Sequence, residues 1–229
     1  MNPARTIKRI LVAESAVEVV GALGLSQAQR ALVEQTTAED IDAALHPGAS
    51  HQNIAALADD LPRARLRETC EPADPLRPVV VLDQITDPQN IGAVLRAAAA
   101  FGARAVIVQD RRTPPLAGAL AKAAAGAIEL TPCVKVVNIA RAIEALKEIG
   151  YYCAGLAGEE AATIDAIPAD RPLAIVLGSE GEGMRRLVSE TCDGLFRIPI
   201  DRAVESLNVS TAAAVALFAT KARGARDVA

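Results

Sequence analysis

Short apolar runs alternate with helical patterns along the chain after residue 78. Val79–Leu82 and Leu173–Leu177 contain no polar residue, which is typical of strands buried on both faces of a parallel sheet. Asp87 and Pro88 suit the N-cap and first turn of a helix that ends before Gly102. The pattern predicts further strands over Ala103–Val108, Val134–Val137, Tyr151–Leu156 and Leu195–Ile198, and further helices over Leu116–Ala125, Asn138–Ile149, Met184–Cys192 and Val209–Ala222. This alternation predicts an α/β fold with a parallel sheet.

The first 61 residues show a weaker pattern that predicts a small unit with a thin core of its own. We predict a strand over Ile7–Ala13, partly helical segments over Val17–Gly21 and Gln27–Gln35, a helix over Ala38–Leu45, and a second strand over Asn53–Leu57. Four prolines then punctuate charged sequence without apolar periodicity, which is typical of a linker. We therefore expect two units, 1–61 and 78–229, joined by residues 62–77.

The charge of the chain is mildly acidic but locally uneven. It carries 28 acidic and 24 basic residues, a formal charge of −4, which argues against non-specific binding to polyanions. With three Phe, two Tyr and no Trp it has too few rings for a base-stacking platform. Basic residues nevertheless cluster at Arg5, Lys8 and Arg9, at Arg63, Arg65 and Arg67, at Arg111–Arg112 and at Arg185–Arg186. Each cluster is either a solvated face or a place for phosphate contacts.

Cysteine and histidine usage gives no sign of a metal site. The four cysteines are scattered without a CxxC pair, and both histidines, His46 and His51, lie in the first quarter. No apolar run approaches the length that spans a bilayer, and the N-terminus lacks the apolar stretch of a signal peptide. We predict a cytoplasmic protein without a metal and without a membrane segment.

Three polar segments follow strands and should meet at one edge of the sheet, where α/β folds bind ligands. They are Leu82–Gly92, Leu177–Gly183 and Ile198–Ser210. The glycine-rich segment has neither the dinucleotide-binding spacing nor the Lys-Ser/Thr of a P-loop, so it is either a tight turn or a loop approached closely by a ligand.

Single residues in these segments leave alternatives open. Ser206 and Asn208 precede the last predicted helix, where capping would explain one of them. Arg96 lies in an otherwise apolar helix and needs either a core ion pair, with Glu180 or Glu205, or a functional role.

Together these segments resemble the three ordered motifs of the SpoU/TrmH-type RNA 2′-O-ribose methyltransferases of the SPOUT class. The resemblance rests on Asp87–Gly92 with Arg96, on Gly178–Met184, and on Ile198–Pro199 with Ser206–Ser210, and it covers about residues 78–222. Lys122–Ala127, Gly181–Arg186 and His51–Asn53 resemble in particular the bacterial 23S rRNA (guanosine-2′-O-)-methyltransferases.

The resemblance implies an enzyme that uses S-adenosyl-L-methionine, forms a homodimer and carries a C-terminal trefoil knot. It implies that the cofactor is held mainly by main-chain groups, at Ala154, Gly155, Leu156, Leu177, Gly178, Glu180, Gly183, Ile198, Ile200, Ser206, Leu207 and Asn208. It also implies that residues 1–61 form an RNA-recognition domain similar to ribosomal protein L30e. Because that domain usually has one more strand and helix before the position of Met1, we expect it to be incomplete.

The implied catalytic residues are Asn90, Arg96, Glu180, Ser206 and Asn208. An Arg side chain has a pKa above about 12 and is a poor general base, so we expect Arg96 to bind phosphate and stabilise the developing alkoxide. The amide and hydroxyl side chains would position Arg96, and Glu180 would fix Arg96 or the glycine loop. The partner should be RNA, most of all 23S rRNA. The alternatives are a tRNA 2′-O-methyltransferase and a non-catalytic RNA-binding or ribosome-assembly factor that retains the knot.

Overall fold

A computed structural model describes residues 5–71, 73–158, 162–201 and 203–224. The chain divides into two compact units, Met1–Pro62 and Arg63–Ala229. Pro72, in the predicted linker, and residues 2–4, at the start of the segment that resembles L30e, lie outside the described residues.

The first unit has a three-stranded sheet in the order β2-β1-β3. Its strands are β1 (Ile7–Ala13), β2 (Val33–Thr36) and β3 (Ile54–Ala58), and its helices are α1 (Val17–Ala22), α2 (Gln27–Arg30) and α3 (Ala38–Ala44). β1 is parallel to β2 and antiparallel to β3. Small apolar clusters cover both faces of β1, because its buried residues alternate between them.

The prediction that Gln27–Gln35 is partly helical is confirmed in its first half, but its second half belongs to a strand. Ser26 starts α2 with a capping box, but this helix ends after one turn, at Arg30. Val33–Thr36 is instead a strand that pairs with β1, Val33 opposite Ile10 and Thr36 opposite Ala13. Its sequence, VEQT, lacks an apolar alternation, so only pairing with β1 makes it a strand.

The second unit confirms the predicted parallel α/β sheet. Its six strands are β4 (Val79–Leu82), β5 (Ala105–Gln109), β6 (Cys133–Val136), β7 (Tyr152–Leu156), β8 (Leu173–Leu177) and β9 (Gly194–Phe196). They lie in the order β6-β5-β4-β8-β7-β9, and every neighbouring pair is parallel. Within β4, Val80 and Leu82 belong to one buried cluster and Val79 and Val81 to another, as expected for a strand covered on both faces.

Helices cover the two faces of this sheet. They are α4 (Leu66–Cys70), α5 (Pro88–Ala100), α6 (Gly118–Ala124), α7 (Ile139–Glu148), α8 (Arg186–Thr191) and α9 (Val209–Gly224). Buried residues of α5, α6 and α9 share one cluster, and those of α4, α7 and α8 share the other. The predicted N-caps Asp87 and Asn138 are confirmed, since each side chain accepts a hydrogen bond from the first turn of its helix.

The predicted linker contains a helix that the sequence did not indicate. Cys70, at the end of α4, is fully buried, and its carbonyl accepts a hydrogen bond of 3.0 Å from the Tyr151 hydroxyl. Arg104 donates to the carbonyls of Thr69 and Glu71 at 2.6 and 3.1 Å. Most of this segment therefore packs into the second unit. None of the helices in the described part of the chain is long and apolar enough to cross a membrane.

Candidate functional site

The carboxyl ends of four neighbouring strands are aligned in one row. Leu177 of β8 lies opposite Leu82 of β4 on one side and Leu156 of β7 on the other. Leu156 in turn lies opposite Phe196 of β9. Because the three polar segments follow β4, β8 and β9, this register brings them to one edge of the sheet, as the sequence predicted.

The side-chain amide of Asn208 joins all three segments. Its Nδ2 donates to Asn90 Oδ1 at 2.8 Å and to Glu180 Oε1 at 2.7 Å. Glu180 Oε1 also accepts from the main-chain N–H of Val209 at 3.3 Å. Three of the five predicted catalytic residues thus form one hydrogen-bonded cluster. We call Asn90, Glu180 and Asn208 the polar cluster.

Asn208 also caps the last helix, which was one explanation for it. Its Oδ1 accepts from the N–H of Ser210 at 2.9 Å, from the N–H of Thr211 at 3.4 Å and from the Ser210 hydroxyl at 2.5 Å. Capping uses only the oxygen of the amide, while the NH2 group makes the two contacts across the motifs. The two roles therefore coexist in one side chain.

Arg96 and Ser206 lie outside the polar cluster. Both are exposed, and neither makes a hydrogen bond or ion pair with another residue that the structure describes. A core ion pair of Arg96 with Glu180 or Glu205 was wrong, because the side chain lies on the solvent face of α5 with Gln89 and Ala100. An exposed guanidinium without a partner is open to an anionic ligand.

The glycine loop is a tight, internally bonded turn. Ser179 and Gly183 exchange main-chain hydrogen bonds of 3.0 and 2.9 Å, and Gly181 and Gly183 have φ angles of +82° and +66°. A Cβ atom on Gly178 would overlap the main chain of Gly183 and Met184. The turn is therefore specified by glycine, and it presents Glu180 to the polar cluster.

Several predicted cofactor residues have main-chain groups available at this edge. Gly178, Ile198, Ile200 and Leu207 are partly buried, yet their N–H and C=O groups make no hydrogen bond to another described residue. Partly buried main-chain groups need a partner from solvent or a ligand.

The strand end at Ala154, Gly155 and Leu156 lies in the same row of the sheet. Gly155 has no room for a side chain, since a Cβ there would come within 2.6 Å of Leu195 and 2.8 Å of Met184. The main chain of this strand is therefore approached closely by the residues after the glycine loop and by β9.

The cysteine of this region is not a reactive thiol. Burial raises the pKa of the Cys192 thiol to about 12, so the thiolate that attacks substrates is not formed near neutral pH. In the described residues no three His, Cys, Asp or Glu side chains are grouped so as to hold a metal ion.

A buried ion pair at this site was not predicted from the sequence. Asp83 is fully buried at the end of β4, and its carboxylate accepts from Arg185 Nε at 2.9 Å and Nη2 at 2.5 Å. The available signal was an acid directly after the apolar run Val79–Leu82, because a carboxylate in that position needs a cationic partner.

Comparison with known proteins agrees with this geometry. Residues 77–218 match the model of the SpoU rRNA Methylase family. The chain is 42% identical over 190 residues to the 23S rRNA (guanosine-2′-O-)-methyltransferase RlmB of Vibrio parahaemolyticus, covering 81% of this chain and 76% of that protein. It is 46% identical over 175 residues to the protein of the same name from Photobacterium profundum, covering 75% and 71%.

Solved structures share the fold. The AdoMet-bound rRNA methyltransferase from Sinorhizobium meliloti superposes with a TM-score of 0.77 at 22% identity, covering 96% of this chain and 81% of that one. At that identity the likeness shows the arrangement of strands and helices alone.

Proposed function

Because the chain belongs to the SpoU rRNA methylase family, we propose that it transfers a methyl group from S-adenosyl-L-methionine to the ribose 2′-hydroxyl of a guanosine in 23S rRNA. The observation that carries this proposal is the Asn208 amide, which joins Asn90 and Glu180 from the other two motifs. The helix cap of Asn208 uses only its amide oxygen, so the cap alone does not account for these two contacts between motifs. An rRNA substrate also agrees with a cytoplasmic enzyme.

The edge of the sheet fits a cofactor held by main-chain groups. Gly178, Ile198, Ile200 and Leu207 offer N–H and C=O groups without partners among the described residues, and Gly178 admits no side chain. The strand end at Ala154–Leu156 and Leu177 completes the surface, and Gly183 closes the turn. When bound, S-adenosylmethionine supplies a methyl group that is already electrophilic on a sulfonium.

The residues of the chain then have to orient the ribose and accommodate its proton. Arg96, exposed on α5, binds an RNA phosphate and stabilises negative charge on the 2′-oxygen. Asn90, held by Asn208, offers the RNA a fixed amide, and Glu180 fixes Asn208 in turn. Ser206 lies two residues before Asn208 with an exposed hydroxyl that is available to substrate or cofactor.

The finer architecture follows the same resemblance. We propose that the segment before α9 forms the trefoil knot, which the bond from Val209 N–H to Glu180 supports. We propose a homodimer, in which Phe218 of α9, 63% exposed, would be covered by the second copy. We also propose that residues 1–61 are an L30e-like RNA-recognition domain, with residues 62–77 as the connection to the catalytic domain at 78–229.

The test is methyl transfer from radiolabelled S-adenosylmethionine to transcribed 23S rRNA and to tRNA, with the methylated ribose mapped by reverse transcription. We expect label on one guanosine of 23S rRNA. Label on tRNA alone would establish the tRNA alternative. Absence of cofactor binding in calorimetry would leave only an RNA-binding factor.

A further inference from the structure

Asp83 holds both ends of the glycine loop. Its main-chain N–H donates to the carbonyl of Leu177 at 2.8 Å, directly before the loop. Its carboxylate accepts from the main-chain N–H of Arg185 at 2.9 Å, directly after the loop. The guanidinium of Arg185 adds bonds of 2.9 Å from Nε and 2.5 Å from Nη2. One residue at the end of β4 therefore ties together the entrance and the exit of residues 178–184.

We propose that Asp83 and Arg185 are positioning residues that fix the glycine loop for cofactor binding and methyl transfer. The proposal rests on the function proposed above. In this proposal the pair places two groups of the loop. One is the Glu180 carboxylate, which accepts from Asn208, and the other is the Gly178 main chain at the cofactor surface.

The chemistry of the pair suits positioning better than simple stabilisation. A fully buried carboxylate loses its hydration, and in many proteins an ion pair of this kind is no more stabilising than apolar side chains of the same volume. The pair fixes an orientation, because Nε and Nη2 of the planar guanidinium both donate to Oδ1 while Oδ2 accepts from the Arg185 main-chain N–H. The Arg185 side chain remains 40% exposed, so only the carboxylate is sealed from solvent.

The pair also couples two motifs. Asp83 begins the segment that leads through Asp87 to Asn90, and Asp87 itself caps α5 by accepting from the Asn90 N–H at 2.8 Å. A shift of the glycine loop would therefore move Glu180 away from Asn208 while Asn90 stays on its helix. We expect disruption of the pair to separate the polar cluster without unfolding the sheet.

The experiment compares Arg185→Lys with Arg171→Lys in the full chain. Lys keeps the charge beside Asp83 but cannot form the two-pronged contact, whereas Arg171 makes an exposed ion pair with Asp170 elsewhere in the unit. The readouts are the melting temperature, the Kd for S-adenosylmethionine, kcat and KM for RNA, and hydrogen exchange of the Ser179 and Gly183 amides. These amides are hydrogen-bonded across the loop at 3.0 and 2.9 Å.

For Arg185→Lys we expect a cooperative unfolding transition, exchange at both amides about tenfold faster, weaker cofactor binding and a lower kcat with KM for RNA unchanged. Arg171→Lys should match the parent. Unchanged exchange and unchanged Kd in a folded Arg185→Lys protein would overturn the proposal. The proposal would also fail if the losses of cofactor affinity and kcat in Asp83→Asn and Arg185→Lys only followed the falls in their melting temperatures. The pair would then stabilise the fold without positioning the loop. If the parent protein binds no S-adenosylmethionine, the proposed function fails. Hydrogen exchange of the loop amides would still show whether Asp83 and Arg185 hold the loop in place.

Discussion

The Asn208 amide donates to Asn90 Oδ1 across 2.8 Å, although the two residues are 118 positions apart in sequence. Each lies at the N-terminal end of a helix, Asn90 in the first turn of α5 and Asn208 directly before α9. The two helices pack against each other through the same buried cluster. The bond therefore depends on helix packing, and it brings the ends of two helices to the carboxyl edge of the sheet.

Asn208→Asp should separate the two roles of this side chain. An Asp caps a helix as well as an Asn, so α9 should stay intact. A carboxylate cannot donate to Asn90 and would repel Glu180, whose oxygen lies 2.7 Å from the Asn208 nitrogen. We expect kcat to fall about 10- to 100-fold, as for the loss of a hydrogen bond to a charged group, with a folded far-ultraviolet spectrum. Ser210→Ala removes only a bond to Oδ1 and should retain activity. Equal losses in both variants would contradict this assignment.

The central strands β4 and β8 could be predicted because they are buried on both faces and therefore have uninterrupted apolar sequence. Val79–Leu82 and Leu173–Leu177 were predicted to the residue. Strand β2, VEQT, could not be found in this way, because its sequence has no apolar pattern. It is a strand only because its main chain pairs with β1. Helix α4 was missed for a similar reason, since its one buried side chain, Cys70, sits among charged residues.

That the three polar segments meet was predictable, but the contacts between their side chains were not. Asn90, Glu180 and Asn208 follow strands that end at one edge, so sequence order already indicated that they meet. Arg96 was expected to have either a core ion pair or a functional role, because its neighbours in sequence are apolar. Its exposure follows instead from the helical phase, which places it on the outer face of α5. The partner of Asp83 lies 102 residues away, a distance over which sequence pattern has no reach.

Arg96→Ala should reduce methyl transfer without loss of stability. The side chain is exposed and has no partner among the described residues, so its removal should change the free energy of unfolding by no more than about 0.5 kcal/mol. We expect kcat on saturating RNA to fall about 100-fold or more, by analogy with the loss of one group that stabilises developing charge. Calorimetry should show the parent affinity for S-adenosylmethionine. Near-parental turnover would remove Arg96 from the mechanism.

Gly178→Ala should abolish cofactor binding. The added methyl group would overlap the main chain of Gly183 and Met184, so the loop has to open. We expect no saturable binding of S-adenosylmethionine in calorimetry and a lower melting temperature. Gly158→Ala is the matched control, because a Cβ there meets nothing within 4 Å. Normal binding by Gly178→Ala would show that the observed loop conformation is not the one that holds the cofactor.

Stability should decline in alkaline solution because the thiols are buried. Burial raises the pKa of Cys70 to about 11 and that of Cys192 to about 12, from an ordinary value of 9.0. Above pH 9 the unfolded chain loses these protons while the folded chain keeps them, so the free energy of unfolding should fall as the pH rises from 9 to 11. Urea titrations at several pH values measure this slope. Cys70→Ala removes one of these thiols and should make the slope less steep, and an unchanged slope would mean that burial of Cys70 does not contribute to the decline.

Arg111 and Arg112 should contribute to RNA affinity through phosphate contacts. Both are exposed on a short turn after β5, and the Thr113 hydroxyl and N–H fix that turn by donating to the Gln109 carbonyl at 2.7 and 3.1 Å. The neighbouring acid, Asp110, is paired with Arg63 at 2.5 Å, so the two arginines keep their charge for a ligand.

Replacing both arginines by alanine should weaken 23S rRNA binding at low salt and lower the slope of log Kd against log salt by about 1 to 2. Neither arginine belongs to the polar cluster or to the predicted cofactor residues, and Arg112 contacts the first polar segment only by a long hydrogen bond of 3.4 Å to Gln84. Binding of S-adenosylmethionine should therefore not change. Arg171→Ala, which removes an exposed charge from the loop directly before β8, is the control for net charge. If the slope changed by the same amount per removed charge in this control, net charge rather than a defined surface would set RNA affinity.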